Sequence, residues 1–472
     1  MVINKLELYE HNIFNNVDVV FSESSKSKNY KTIIIGPNGT GKSSFLGLIS
    51  DILSIELSHD KEKSLKKFET KYNLTIESEG KKHKISNITK DKKIGIGKLL
   101  AITSTINDKF PYISKNSVRR SEKYIYLGLK TTSNNIFLSN IKESILILLF
   151  EIIKNEKKTA SACEVLDELK FGSKIKFKVH KSRNFGKTKK FIKKDKSLMF
   201  SDSYDAKKLK EFLNSSYFDK NKSEILEILE QVSEKNGYQE EIELNRHSSL
   251  PSRKNINFYL LRKLLDNNIV TVKELSLFSN KGYDINEASS GEFNILRTYL
   301  SIISHAEDNS IILIDEPEIS LHPNWQIDFI PILDKAISKY TGCHTLIATH
   351  SHFMLTNANA DDTSIVGLYP DSKTKRILVN PLPIEPYGWS PENILYQAFG
   401  ITGNRNKYFE MDLRYIIDYF SEASLKKSDN EHHQFIKAVE RIEKFKIEQN
   451  DPLYKLLNRA LDEKQKLKER GK

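Results

Sequence analysis

The stretch that most constrains this chain is Gly36-Pro37-Asn38-Gly39-Thr40-Gly41-Lys42-Ser43, which fits G-x-x-x-x-G-K-[ST] at every position. It follows a short apolar run, Lys31-Thr-Ile-Ile-Ile35, read as a buried strand. After it come Phe45, Leu46, Ile49 and Leu53, which share one face of a helix. A strand, a glycine-rich turn and a helix N-terminus together make a phosphate cradle. Glycines let backbone N–H groups turn inward where side chains would block a phosphate, and the positive helix end points to the same place. Gly36, Asn38, Gly39, Thr40, Gly41, Lys42, Ser43 and Ser44 are therefore the expected ATP-binding residues. Lys42 can reach the β- and γ-phosphate oxygens, and the Ser43 hydroxyl can ligate Mg²⁺.

Three further elements add chemistry. Ser310-Ile-Ile-Leu-Ile314 reads as a second buried strand ending in Asp315-Glu316-Pro317. A carboxylate at a strand's end can hold Mg²⁺, which fits Asp315, and Glu316 is placed to act as general base on the attacking water. The plainer alternative is that both acids cap the following segment. A third strand, Thr345-Leu-Ile-Ala348, runs into Thr349-His350-Ser351. A histidine at a strand tip can sense a γ-phosphate, although a lone histidine is ordinarily structural or solvated. Finally, Ala288-Ser289-Ser290-Gly291-Glu292 opens a helix with Phe293, Leu296, Leu300 and Ile303 on one side, and small residues at a helix start make a second anion site.

In this order the four elements resemble ABC-type ATPase heads. The loop resembles Walker A, Asp315-Glu316 the end of Walker B, and His350 the switch histidine. Ser289, Gly291 and Glu292 match the signature motif, from which Ala288 and Ser290 depart. The resemblance implies catalytic roles for Glu316, His350 and Lys42, and a composite site in which Walker A of one subunit faces Ser289 and Gly291 of another, hence a homodimer or higher oligomer. Glu318-Ile-Ser-Leu-His-Pro323 is similar to the RecF and OLD branch rather than to transporter ATPases. Ser104–Pro111, Tyr124–Lys130, Tyr259–Leu264, Trp389–Leu395 and Phe399-Gly400 resemble the PtuA family of Septu phage-defence ATPases, with relatives in retron operons. That family implies a separate HNH nuclease partner of the PtuB type, encoded nearby. The chain carries no Asp-x-Asp after His350 and no HNH core of its own. A RecF-like DNA-maintenance ATPase is the alternative function.

The expected fold is α/β: an ABC-type P-loop ATPase head in two halves, 1–150 and 257–402, with a basic α+β lobe inserted at 151–256 and a charged helical region at 403–472. Hydrophobic content of 38% and charged content of 29% fit a folded globular chain rather than a disordered one. The most apolar stretch, Ser144–Phe150, is interrupted by Glu151 and too short to cross a bilayer, and the N-terminus lacks a secretory layout. Cys163 and Cys343 suggest neither a disulfide framework nor a zinc site. A cytoplasmic location without membrane contact is the expectation.

The net charge of +12 is concentrated between Lys174 and Lys196, where eleven Lys/Arg meet one acid, Asp195. Lys174-Ile-Lys-Phe-Lys-Val179 alternates like a strand with one lysine face, and Phe185 and Phe191 lie among Arg183, Lys187, Lys189, Lys190, Lys193 and Lys194. Basic residues interleaved with aromatics suit DNA or RNA contact; a solvated edge strand protected by lysines is the equal alternative. In the tail, Leu413, Ile416, Ile417 and Phe420 mark one amphipathic face, and Phe435, Val439, Ile442 and Phe445 another. His432 and His433 read as surface residues.

Overall fold

The computed structural model describes the chain apart from residues 10, 15, 23–26, 59, 66–67, 79, 88–94, 106, 112–120, 129–137, 193–203, 234–236, 245–257, 279–287, 360, 372–373, 375, 383–393, 395–406, 422–428, 444–452 and 471–472. Lys193, Lys194, Trp389, Phe399 and Phe445, which figure in the readings above, lie outside the described residues.

A seven-stranded sheet forms the centre. Strands are numbered along the chain. Its middle strands are Tyr30–Ile35 (β3), Leu99–Thr103 (β6), Ile311–Asp315 (β11) and His344–Ala348 (β12), all buried throughout. Each is a nearly unbroken apolar run, the pattern of parallel strands covered on both faces. With Tyr124–Leu127 (β7), Thr363–Pro370 (β13) and Ile377–Leu382 (β14), the order is β14-β13-β3-β12-β11-β6-β7. Only the β13–β14 pair is antiparallel, so the sheet is mixed. Register aligns Ile33, Ile347, Ile314 and Ile102 in one row, and Leu346, Leu313 and Ala101 in another facing the opposite way. Because β3, β11 and β12 run in the same direction, their C-terminal ends sit side by side. The loops leaving them begin at Gly36, Glu316 and Thr349.

On one face the helix Lys42–Leu57 shares a core with an antiparallel sheet of Val17–Val20 (β2), Val2–Tyr9 (β1), Lys71–Ser78 (β4) and Lys81–Ser86 (β5). The sequence shows this helix one apolar face, yet Gly47, Leu48, Ser50, Ile52, Ser54 and Ile55 are buried as well. The helix packs on β6, β11 and β12 and also against Phe14 and Phe21 through Phe45. On the other face lie the helices Leu138–Ile152, Glu156–Glu168, Ser290–His305 and Phe329–Ile337. The same core runs on into a three-stranded antiparallel sheet of Val270–Phe278 (β10), Lys174–Lys181 (β8) and Tyr238–Glu243 (β9). The inserted segment thus shares a sheet with β10, and Met1–Phe399 forms one compact unit.

Gly400–Lys472 forms a second unit. Its helices Lys407–Ser421, Asp429–Ile442 and Tyr454–Arg470 enclose a core of Ile416, Tyr419, Phe435, Val439, Ile442 and Leu457. Tyr419 stacks on Phe435 at 4.0 Å, whereas Ile417 is exposed, so the buried face of the first helix turns toward Tyr419. His433 is exposed, but His432 is half-buried with Nδ1 2.6 Å from the Tyr419 hydroxyl, a partner the sequence reading did not anticipate. Among the described residues, no helix is long and apolar enough to cross a membrane.

Candidate functional site

The chain leaves β3 and turns through the glycine-rich loop into the helix Lys42–Leu57. Gly36 passes so close to β13 that a Cβ there would lie 2.3 Å from the Leu368 carbonyl oxygen. Asn38 and Gly39 are exposed, while Thr40 is buried and its hydroxyl donates to the Pro37 carbonyl at 2.9 Å. Gly41 caps the helix at φ 78°, a left-handed conformation that side chains resist. Lys42 folds back beneath the loop, its Nζ donating to Gly36 O at 2.9 Å and Pro37 O at 3.3 Å. The Ser43 hydroxyl donates to Asp315 Oδ1 at 2.9 Å, and Ser44 follows, half-buried.

Two neighbouring strand ends complete the group. Asp315 closes β11, and Glu316 follows at φ 48°, its N–H donating to Ala348 O at 2.9 Å. The His350 ring stands between Lys42 and Glu316: Nδ1 is 3.1 Å from Lys42 Nζ, and Nε2 is 3.2 Å from Glu316 Oε1. An ammonium only donates, so Nδ1 accepts and Nε2 carries the proton toward the carboxylate. That assigns the neutral Nε2–H tautomer from the partners. Lys42, His350 and Glu316 thus form one hydrogen-bonded chain and Ser43 with Asp315 a second beside it, the two adjoining at residues 42–43 and 315–316.

Burial sets the protonation of this group. It pushes Asp315 up to about 7, against the Ser43 hydrogen bond and helped by the nearby Glu316, Asp108 and Glu318. It pushes Lys42 down to about 8, opposed by Glu316, Glu318 and Asp315. His350 is held below the usual histidine value by burial and by Lys42, with Glu316 acting the other way. A buried cation facing an excess of carboxylates is ready for a ligand that brings negative charge and a counter-cation together. Ser43 Oγ and Asp315 supply hard oxygens side by side, the donor set Mg²⁺ takes when phosphate and water complete its shell. Among the described residues, no cluster of three or more His, Cys, Asp or Glu could hold a metal unaided.

Ser289 and Gly291 stand outside both of those hydrogen-bonded chains. Ser289 caps the helix Ser290–His305 in a reciprocal box: its hydroxyl accepts from Glu292 N at 3.3 Å, and Glu292 Oε2 accepts from Ser289 N at 2.7 Å. A Cβ on Gly291 would lie 2.1 Å from Ser320 O, so this helix start abuts the turn that follows Glu316. Arg297, farther along the helix, donates to Leu127 O at 2.9 Å and Gly128 O at 3.2 Å, tying it to β7.

Some residues of the site were not picked out from the sequence. The Glu318 carboxylate accepts the His350 N–H; it was visible only as part of the wording after Asp315. Asp108 is buried, accepting from Phe110 N at 3.0 Å and the Tyr126 hydroxyl at 2.7 Å, within the segments that carry the PtuA resemblance. Ile13 and Phe14 line the loop beside Gly41, with Ile13 45% exposed, and no local pattern marks them.

The basic stretch looks different once its neighbours are in place. β8 alternates as expected, but it is the middle strand of its sheet, so the edge-strand reading is corrected. Lys174 pairs across from Glu243, Lys176 from Glu241 and Lys178 from Glu274, so three lysines meet three glutamates on one face. Phe185 is buried and Phe191 packs against Phe218 at 6.0 Å, which corrects their reading as stacking groups for bases. Arg183, Lys187 and Lys190 remain exposed.

The family profile described as AAA ATPase domain matches residues 1–355. Septu protein PtuA from Bacillus thuringiensis is 25% identical over 150 residues, a match spanning 31% of this chain and 34% of that protein. Among solved structures, the SMC head domain from Thermotoga maritima aligns at 12% identity and a TM-score of 0.31, covering 81% of this chain and 100% of that one. The ATP-binding cassette of an ABC transporter in its ADP conformation aligns at 12% identity and a TM-score of 0.27, covering 84% and 94%.

Proposed function

This chain belongs to the AAA ATPase domain family, and we propose that it is the ATP-binding and ATP-hydrolysing subunit of a cytoplasmic phage-defence complex that controls a separate nuclease. One observation carries the ATPase reading: Lys42 and His350, 308 positions apart, lie 3.1 Å from each other beside Ser43, Asp315 and Glu316. ATP entering the loop would draw Lys42 from the Gly36 and Pro37 carbonyls to its β- and γ-phosphate oxygens. Ser43 and Asp315 would hold Mg²⁺, which neutralises phosphate charge when bound. Glu316 takes the proton of the attacking water. His350, bonded to both Lys42 and Glu316, connects the residue that meets phosphate to the residue that acts on water.

The likeness to PtuA supports the defence reading and a PtuB-like HNH nuclease as partner. The signature-like helix start supports a composite site, with Ser289 and Gly291 of one subunit closing on the loop of another in a homodimer. Light scattering with and without ATP tests the assembly. Glu316→Gln should dimerise with ATP, whereas Ser289→Arg should bind ATP and remain monomeric. Its lost cap costs only about 1 kcal/mol, which a melting curve would register separately. A Ser289→Arg protein that assembles and hydrolyses like wild type contradicts the composite site. Co-expression with a neighbouring HNH gene should protect cells from phage, and Lys42→Ala should abolish that protection; protection unaffected by Lys42→Ala contradicts the defence role of ATP.

A further inference from the structure

We propose that Glu318 is a positioning residue for hydrolysis, one whose carboxylate holds the backbone of His350 so that the imidazole stays between Lys42 and Glu316. The inference rests on the ATPase reading above and adds to it the part that keeps the relay aligned.

The sheet ladder ends where His350 begins. Thr349 N still finds a strand partner, Ile34 O at 3.0 Å, but the next N–H, that of His350, points to the other side, where β11 has already ended at Asp315. A half-buried N–H needs an acceptor, and the Glu318 side chain supplies it. Glu318 can reach because of the turn on which it sits. Glu316 at φ 48° and Ser320 at φ 66° both adopt the left-handed region that L residues resist. Leu321 N closes the turn onto Glu318 O at 2.9 Å, and Glu316 N ties it to Ala348 O at 2.9 Å. One strained turn therefore aims two carboxylates at one histidine, Glu316 at the ring and Glu318 at the backbone.

A second observation separates this from ordinary loop satisfaction. Glu318 Oε2 is sealed from solvent with no hydrogen-bond partner, while the same carboxylate serves the His350 amide. The carboxylate also takes hydrogen bonds from the Thr349 side chain and from its own N–H, so its bonds gather on the strand end that carries His350. The same turn also carries Ser320 against Gly291 of the signature-like helix. Glu318 thus fixes the switch histidine to the segment that touches the proposed dimer surface.

The test is steady-state and single-turnover ATP hydrolysis by wild type, Glu318→Ala, Glu318→Gln and Glu316→Gln, with melting temperatures recorded for each. Glu318→Ala leaves the His350 amide unpaired and the ring free to drift, so kcat should fall ~10- to 100-fold while KM for ATP stays within about threefold. Glu318→Gln keeps an acceptor of the same length and should recover kcat to within about fivefold of wild type. Wild-type kcat in Glu318→Ala, a loss confined to KM, or a Gln variant as slow as Ala would each overturn the assignment. If wild type turns over no faster than Glu316→Gln, the ATPase reading itself falls and Glu318's role with it.

Discussion

Lys31 and His344 lie at the N-terminal edge of the central sheet, Lys42 and His350 at its C-terminal edge. The residue types match and so do the strands they flank, β3 and β12. Lys31 is 2% exposed and gripped by Asp334 at 2.7 Å and Asp362 at 2.8 Å. His344 is fully buried; its Nδ1 accepts from Ile3 N at 2.9 Å, its Nε2 lies 2.9 Å from Thr32 Oγ1, and burial pushes it down to about 3. Both are held by side-chain or backbone partners within the fold. At the other edge Lys42 rests on two loop carbonyls, His350 is shared between an ammonium and a carboxylate, and Glu316 sits in a strained backbone conformation. Those partners can be exchanged for a phosphate without unpacking the core. Identical side chains thus serve stability where their bonds are saturated and chemistry where their bonds are replaceable.

The largest expected effect lies at the C-terminal edge. Glu316→Gln removes the proposed general base and should lower single-turnover hydrolysis by ~10²–10⁴ while leaving the melting temperature and ATP binding near wild type. Comparable hydrolysis in this variant would place the base elsewhere. The converse holds at the opposite edge. Lys31→Ala removes two charged hydrogen bonds from a buried position and should cost about 1.5–3 kcal/mol in urea unfolding, with ATP affinity of the folded protein unchanged. An affinity loss there would erase the distinction between the edges.

The smallest effect is a pH slope. His344 titrates near 3 in the folded protein and 6.5 when unfolded, so between those values the unfolded chain holds the extra proton. Its contribution to stability is complete above pH 6.5 and is lost as pH falls, at up to ~1.4 kcal/mol per pH unit. Asp315 works in the opposite sense. Raised from 3.8 to about 7, it keeps a proton that the unfolded chain has released, so its contribution declines as pH rises through that interval. His344→Asn, which retains an acceptor for Ile3 N, leaves the opposing Asp315 slope alone, so the loss of stability from pH 6.5 to 5.5 should be smaller than in wild type or reversed. Equal slopes in urea unfolding at pH 7.5, 6.5 and 5.5 would show that His344 is not the group responsible.

The nucleotide edge was legible because its chemistry demands residue types at fixed spacing on a strand, a turn and a helix. The loop at Gly36–Ser43 and the acids after Ile314 are short-range patterns, and parallel strands bring them together whatever lies between. What escaped was set by residues distant in sequence. Nothing near Lys176 announces Glu241, so the lysine face reads equally as a polyanion site or a solvated edge until β9 and β10 pair with it and set glutamates across from Lys174, Lys176 and Lys178. Phe185 and Phe191 alternate with lysines as stacking residues would, yet the helix Phe185–Ile192 turns them into the core. Glu318 was hidden for another reason: its partner is a backbone amide 32 positions away, and no side-chain motif records an amide that has run past its ladder.

Calorimetric titration of Mg-ATP into wild type, Lys42→Ala and Lys31→Ala tests the central contrast most directly. Wild type and Lys31→Ala should bind alike, and Lys42→Ala should bind roughly ten- to a hundredfold more weakly, the equivalent of one charge-assisted contact. If Lys42→Ala binds as tightly as wild type with its fold intact, or if Lys31→Ala loses as much affinity, the C-terminal edge of the sheet is not the nucleotide site.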